Sequence, residues 1–129
     1  MYGFNVIVPG AFAAVVERVT EELKKEGFGI LTDIDVQATL KAKLGEDMRP
    51  YRILGACNPP LAHKAIVMEP DIGLLLPCNV VVREQDDGKI NVGFMDPLAV
   101  LGLVQRKEME TLGLEVRGRL ERVRDAVGK

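Results

Sequence analysis

Two cysteines, one histidine, four asparagines and no serine bound the chemistry open to this 129-residue chain. A serine nucleophile is excluded outright. His63 stands alone, so no histidine pair can hold a transition metal, and Cys57 and Cys78 lack metal-ligand spacing. No metal and no cofactor are expected. A hydrolytic triad would have to join His63 to Cys57 or Cys78. Cys57 closes a strand pattern and directly precedes Asn58-Pro59-Pro60, a helix start. Unpaired N–H groups and the helix dipole favour a thiolate there. Cys57 is therefore the candidate catalytic residue, suited to thiol redox or thiol transfer. Against this stands the tendency of free cysteine simply to pack as a small hydrophobe. Cys78 is in phase with Leu76, Val80 and Val82, which assigns it to a buried face where a thiol is inert. If neighbouring strands carry the two cysteines, a disulfide still needs their Cα atoms within ~7 Å. His63 and Lys64 lie opposite Leu61, Ala62, Ala65 and Ile66 on their helix, so the histidine points away from Cys57.

The asparagines carry a second signal. Asparagine is depleted in strands, yet Asn5, Asn79 and Asn91 sit inside strand patterns with apolar residues on both sides. Because successive side chains alternate across a strand, all three are expected on the sheet face away from the helices. Arg52, Arg83 and Gly93 are placed on that same face. Such a face is a ligand platform, a dimer interface, or an ordinary solvated sheet surface. Asn5, Arg52, Cys57, Asn58, Asn79 and Asn91 are the candidate ligand-binding residues. Asp33 and Asp35 share one side of a strand, where they suit a hard cation or acid–base work, but one of them also suits capping of the helix that follows. Asp96 before Pro97 reads as a turn or N-cap residue.

The elements that must position these residues follow from periodicity. Tyr2 to Val8 alternates as a strand and stops at Pro9-Gly10. Phe12, Val15, Val16, Val19 and Leu23 recur at helical spacing, with charged residues opposite, a Glu21–Lys25 pair and Gly27 as C-cap. Phe28 to Val36 reads as a strand, Gln37 to Leu44 as a short helix ended by Gly45, and Tyr51 to Cys57 as a third strand. Asn58 is an N-cap and Pro59 a first helical residue. Leu61, Ala62, Ala65 and Ile66 form that helix's buried face. Gly73 to Glu84 reads as a strand interrupted by Pro77, and Asp86-Asp87-Gly88 turns it back into Lys89 to Met95. Leu98 to Val104 is a short apolar segment. A long helix from Arg106 to Val127 carries Leu112, Val116, Leu120, Val123 and Val127 on one stripe, with Gly113 and Gly118 allowing close packing. The order β-α-β-α-β-α-β-β-α predicts a two-layer α+β sandwich, mostly antiparallel, with helices on one face. Residues 1–129 form one domain, without repeat or linker.

Composition removes other classes. An apolar fraction of 47% and a charged fraction of 28% fit a globular chain rather than a disordered or fibrous one. A net charge of −2 and pI near 5.5 offer no basic track for nucleic acid. The arginines from Arg117 to Arg124 are interleaved with Glu121 and flanked by Glu115 and Asp125, as on a salt-bridged helix face. No apolar run reaches the ~18 residues that span a bilayer, and no signal peptide is visible. Two free thiols and these absences lead to the expectation of a cytoplasmic protein without membrane or nucleic-acid partners.

The stretch Tyr51-Arg52-Ile53-Leu54-Gly55-Ala56-Cys57-Asn58-Pro59-Pro60 resembles a known family. Ile72 to Val82, with its second cysteine-asparagine pair, strengthens the likeness, as do Met95-Asp96-Pro97 and Gly29 to Val36. This is the bacterial and archaeal family called domain of unknown function 302, and the resemblance covers nearly the whole chain. It implies a two-layer α/β domain that forms a homodimer, and it brings no assigned reaction and no catalytic residue. Three functions follow from the residues. One is a dimeric module that binds a small-molecule ligand on the open sheet face. Another is a thiol protein using Cys57, with Cys78 as its partner. The last is a structural dimerisation or docking domain using Leu98 to Val104.

Overall fold

A computed structural model describes residues 1–129. Strands β1 (Gly3–Val8), β2 (Gly29–Asp35), β3 (Tyr51–Cys57), β4 (Cys78–Glu84) and β5 (Ile90–Met95) form one sheet in the order β1-β5-β4-β3-β2. All four pairings are antiparallel. The first two strands in sequence are thus the two edges, and helix α1 (Phe12–Lys25) carries the chain across the whole sheet between them. Helices α2 (Val36–Leu44), α3 (Pro59–Met68), α4 (Pro97–Leu101) and α5 (Lys107–Val127) complete the regular structure. The protein is an α+β two-layer fold, and no helix is long and apolar enough to cross a membrane.

One face of the sheet supplies the core. Val80, Val82, Val92 and Phe94 are at most 2% exposed, and they pack with Val19 and Leu23 of α1 and with Leu112, Val116, Leu120 and Val123 of α5 in one apolar cluster. Each such side chain contributes about 1.5–3 kcal/mol by leaving water. Gly113 lets α5 meet α4 closely: a Cβ there would stand 3.1 Å from the Pro97 carbonyl oxygen and 3.2 Å from Leu98 Cα.

The helix ends follow the sequence cues. Asp35 caps α2 by accepting the Ala38 N–H at 2.9 Å, Asn58 caps α3 through Leu61, and Asp96 caps α4 through Leu98 at 2.9 Å. Gly27 and Gly45 take positive φ just past α1 and α2. Capping therefore accounts for Asp35 and Asp96. The arginine-rich face of α5 is ion-paired, with Arg119 to Glu115 at 3.3 Å and Arg122 to Glu26 at 2.9 Å.

Three local expectations need correction, and the short apolar segment Leu98 to Val104 takes a definite form. Residues 73–77 are not strand: Pro70–Leu75 is a 3-10 turn that buries Ile72, and β4 starts only at Cys78. Pro77 has no N–H to give a ladder, which delays the strand. The apolar segment after Asp96 is largely helical, as α4 and a 3-10 turn, and Leu103 stays 70% exposed. On α3 only Leu61 and Ala65 are buried; Ile66 is exposed, because the helix is seated by a narrow edge. Lys25 pairs with Glu22 at 2.8 Å rather than with Glu21.

Gly55 marks the tightest contact between strands. A Cβ there would fall 2.1 Å from Thr32 Oγ1 and 2.8 Å from Pro77 Cγ. Gly55→Val is therefore expected to destabilise the fold by about 1–3 kcal/mol, the range for overpacking, as read by urea denaturation. An unchanged midpoint would contradict this packing.

Candidate functional site

The register sorts the open face into rows. Tyr51, Arg83, Asn91 and Ile7 lie side by side across β3, β4, β5 and β1. Beside them run Ile34, Ile53, Val81, Gly93 and Asn5, and then Thr32, Gly55 and Asn79. Asn5, Asn79 and Asn91 do share this face, and with Tyr2, Tyr51, Arg83 and Gly93 they line a concavity of about 500 Å³.

Asn91 is its polar anchor. Only 7% exposed, it accepts a hydrogen bond from Asn5 Nδ2 at 2.7 Å and donates from its own Nδ2 to Gln85 Oε1 at 3.0 Å. The chain Asn5–Asn91–Gln85 thus crosses from the edge strand to the β4–β5 hairpin and fixes the amide orientations. Gly93 makes it feasible. It pairs directly with Asn5, and a Cβ on it would stand 2.8 Å from Asn5 Nδ2. Asn79, Tyr51 and Arg83 make no side-chain hydrogen bond within the chain, and no carboxylate lines the concavity. Arg83 is a half-buried cation without an ion-pair partner among amide and phenol groups.

Arg52 belongs elsewhere, which corrects its placement with the asparagines. It pairs across with Val82 and is in phase with Leu54 and Ala56, on the helix-side face. There it binds both carboxylate oxygens of Asp33, with the Nε bond at 2.7 Å. The Arg52 hydrogen bonds hold the Asp33 carboxyl below its ordinary pKa, and the same pair raises Arg52. Both of the carboxylate's oxygens are taken by Arg52, so Asp33 is committed to this ion pair rather than to a cation.

Cys57 and Asn58 lie at a different place, an apolar cavity of about 300 Å³ that they line together with Cys78. Asn58 is spent on its cap and on the Glu26 carbonyl, which its Nδ2 reaches at 3.4 Å. The thiols are free. Cys78 pairs across the ladder with Ala56, so Cys57 is one residue out of step with it. No hydrogen bond joins Cys57 to His63, which is exposed. Sequence reasoning missed Tyr51 as a wall of the polar concavity; its phase with Ile53 and Gly55 was the available signal.

A family model described as Domain of unknown function DUF302 matches residues 4–127. The chain belongs to this family. Its fold is that of the crystal structure of an uncharacterised conserved DUF302 protein from Bacillus stearothermophilus, with a TM-score of 0.90 and 30% identity over 98% of each chain. None of the curated proteins matches it.

Two outcomes test this geometry. Gly93→Ala is expected to keep the DUF302 fold but push the Asn5 amide aside, shifting the Asn5 and Asn91 side-chain N–H resonances and changing stability by no more than about 1 kcal/mol. Unmoved resonances would refute the crossing. Burial, with a smaller contribution from nearby Cys57, lifts the Cys78 thiol from 9.0 to about 11. Its folded pKa is raised, so its stabilisation is full below the unfolded value and disappears as pH rises through 9 towards about 11. Stability is expected to fall by about 2–3 kcal/mol more across that window in the wild type than in Cys78→Ala. Parallel curves in reducing urea titrations would show the thiol to be solvated.

Proposed function

We propose that the protein is a homodimeric binding module for a small organic anion, held on the open face of its sheet. The observation that carries this is Arg83, a guanidinium without a carboxylate partner in a concavity whose other polar groups are amides and phenols. A half-buried charge is costly unless paired, and a planar guanidinium matches carboxylate or phosphate in two-pronged fashion. Asn5 and Asn91 are already oriented by their mutual hydrogen bond, and Asn79, exposed beside Gly55 in the ladder, keeps its amide free. Pre-oriented donors lose little entropy on binding. Ile7 and Ile34, exposed by 51% and 47% respectively, flank these groups on the same face. A second copy over that face would shelter them and roof the concavity, which supports the dimer.

The thiol reading draws less support, because Cys57 has neither a hydrogen-bonded base nor Cys78 opposite it in the ladder.

Titration of the isotope-labelled protein with succinate, inorganic phosphate and adenosine monophosphate tests the proposal. At least one is expected to shift the side-chain signals of Asn79, Asn91 and Arg83 saturably, with affinity reduced tenfold or more in Arg83→Gln. Sedimentation is expected to give a dimer that Ile7→Glu weakens. Shifts confined to other surfaces, or none with all three anions, would sink the proposal.

A further inference from the structure

We infer that the cavity between β3, β4, α3 and α5 binds one uncharged apolar molecule of about bicyclic size, at a site separate from the open face. Its walls come from the sheet ends at Ala56 and Cys78, from Leu61 and Ala65 of α3, and from Leu112 and Val116 of α5. The space measures about 300 Å³ and is a half-open apolar pocket rather than a sealed void. An enclosed apolar cavity of about 150 Å³ admits benzene, so this half-open pocket, at about twice that volume, has room for two fused rings or a chain of similar bulk.

Two further observations select the ligand. Cys78 is 8% exposed, lines the cavity, and has no hydrogen-bond partner for its thiol; a polarizable sulfur of this kind is satisfied by an aromatic or aliphatic contact. Asn58, the one amide on the wall, is already committed to Leu61 and Glu26. No ionisable side chain other than the two thiols lines the space, so a charged ligand would lose its hydration without a partner. At the mouth stand Leu31 and Ile66, exposed by 66% and 45%. Leu31 is the residue that the β2 bulge leaves out of the ladder, and such bulges re-aim side chains beside sites.

The test is naphthalene added to the full chain, read by methyl shifts and by the rate at which iodoacetamide alkylates the half-buried Cys57. Naphthalene is expected to shift Leu61, Leu112 and Val116 saturably and to slow alkylation several-fold, while naphthalene-1-sulfonate does neither. Ala65→Leu fills the cavity and is expected to weaken naphthalene binding at least tenfold; if it fails to fold, Ala62→Leu fills the same space from the half-buried side of α3. Absence of saturable shifts overturns the inference, as does equal binding of the sulfonate or undiminished binding by a folded, filled variant. Binding that disappears as protein concentration rises also overturns it, since a side chain of a second copy would then be the occupant. Arg83→Gln is expected to leave naphthalene binding unchanged, so this site and the anion site stand or fall separately.

Discussion

Val80 and Val82 on β4 and Val92 and Phe94 on β5 must be out of water, and α1 and α5 cover them. Everything on the opposite face follows from that burial. Side chains alternate along a strand, so sealing these four against the helices turns Asn79, Val81, Arg83, Asn91 and Gly93 outward. The polar concavity is thus the reverse side of the core, and its rigidity is that of two strands with covered partners on either hand. Sites built on strands hold their geometry more closely than sites on loops.

The helical layer is held to this sheet by more than apolar contact. Phe4 stacks on Phe94 with ring centres 5.5 Å apart, and Arg117 and Arg124 of α5 lie within 6 Å of the Phe4 ring centre. Arg117 also donates to Asp96 at 3.0 Å, while the other Asp96 oxygen caps α4. One carboxylate, 7% exposed, therefore joins the end of β5, the start of α4 and the middle of α5. Removing Arg117 would leave the Asp96 carboxylate without its ion-pair partner in a poorly solvated place. That constraint fixes the tilt of α5 along the sheet, and with it the far wall of the apolar cavity at Leu112 and Val116.

How far the sequence could be read depended on how strongly each strand is two-faced. β1, β4 and β5 alternate cleanly, and the positions of Asn5, Asn79 and Asn91 were legible from period two alone. β3 is not two-faced: Tyr51, Ile53 and Gly55 face out while Arg52, Leu54 and Ala56 face the helices, and both sets mix apolar with polar. Residue type alone put Arg52 on the wrong side. Its real place depends on Asp33 of the edge strand, a long-range pairing that no local pattern encodes. The caps were legible because capping is local chemistry. The apolar cavity was not, since it is a space left between α3, α5 and two strand ends, and spaces have no sequence period. The boundary of β4 failed for a related reason: Leu74, Leu75 and Leu76 look like strand, but Pro77 denies them a ladder.

Consecutive residues of β4 show how narrowly the two surfaces are kept apart. Cys78 borders the apolar cavity and Asn79 borders the polar concavity, so one peptide unit separates a buried thiol from an exposed amide. A slip of β4 by one residue against its neighbours would exchange them, burying Asn79 and Arg83 and exposing Val80 and Val82. Burial of an unpaired amide and a guanidinium costs far more than any ladder bond regained, so the polar residues themselves hold the register. Gly55, closed over by Thr32 and Pro77, and Gly93, crossed by Asn5, act in the same direction, because neither contact has an equivalent one residue away. The side chains that suit the open face to a polar ligand are thus also those that forbid the alternative sheet, and the strand β4 cannot give up one role without losing the other.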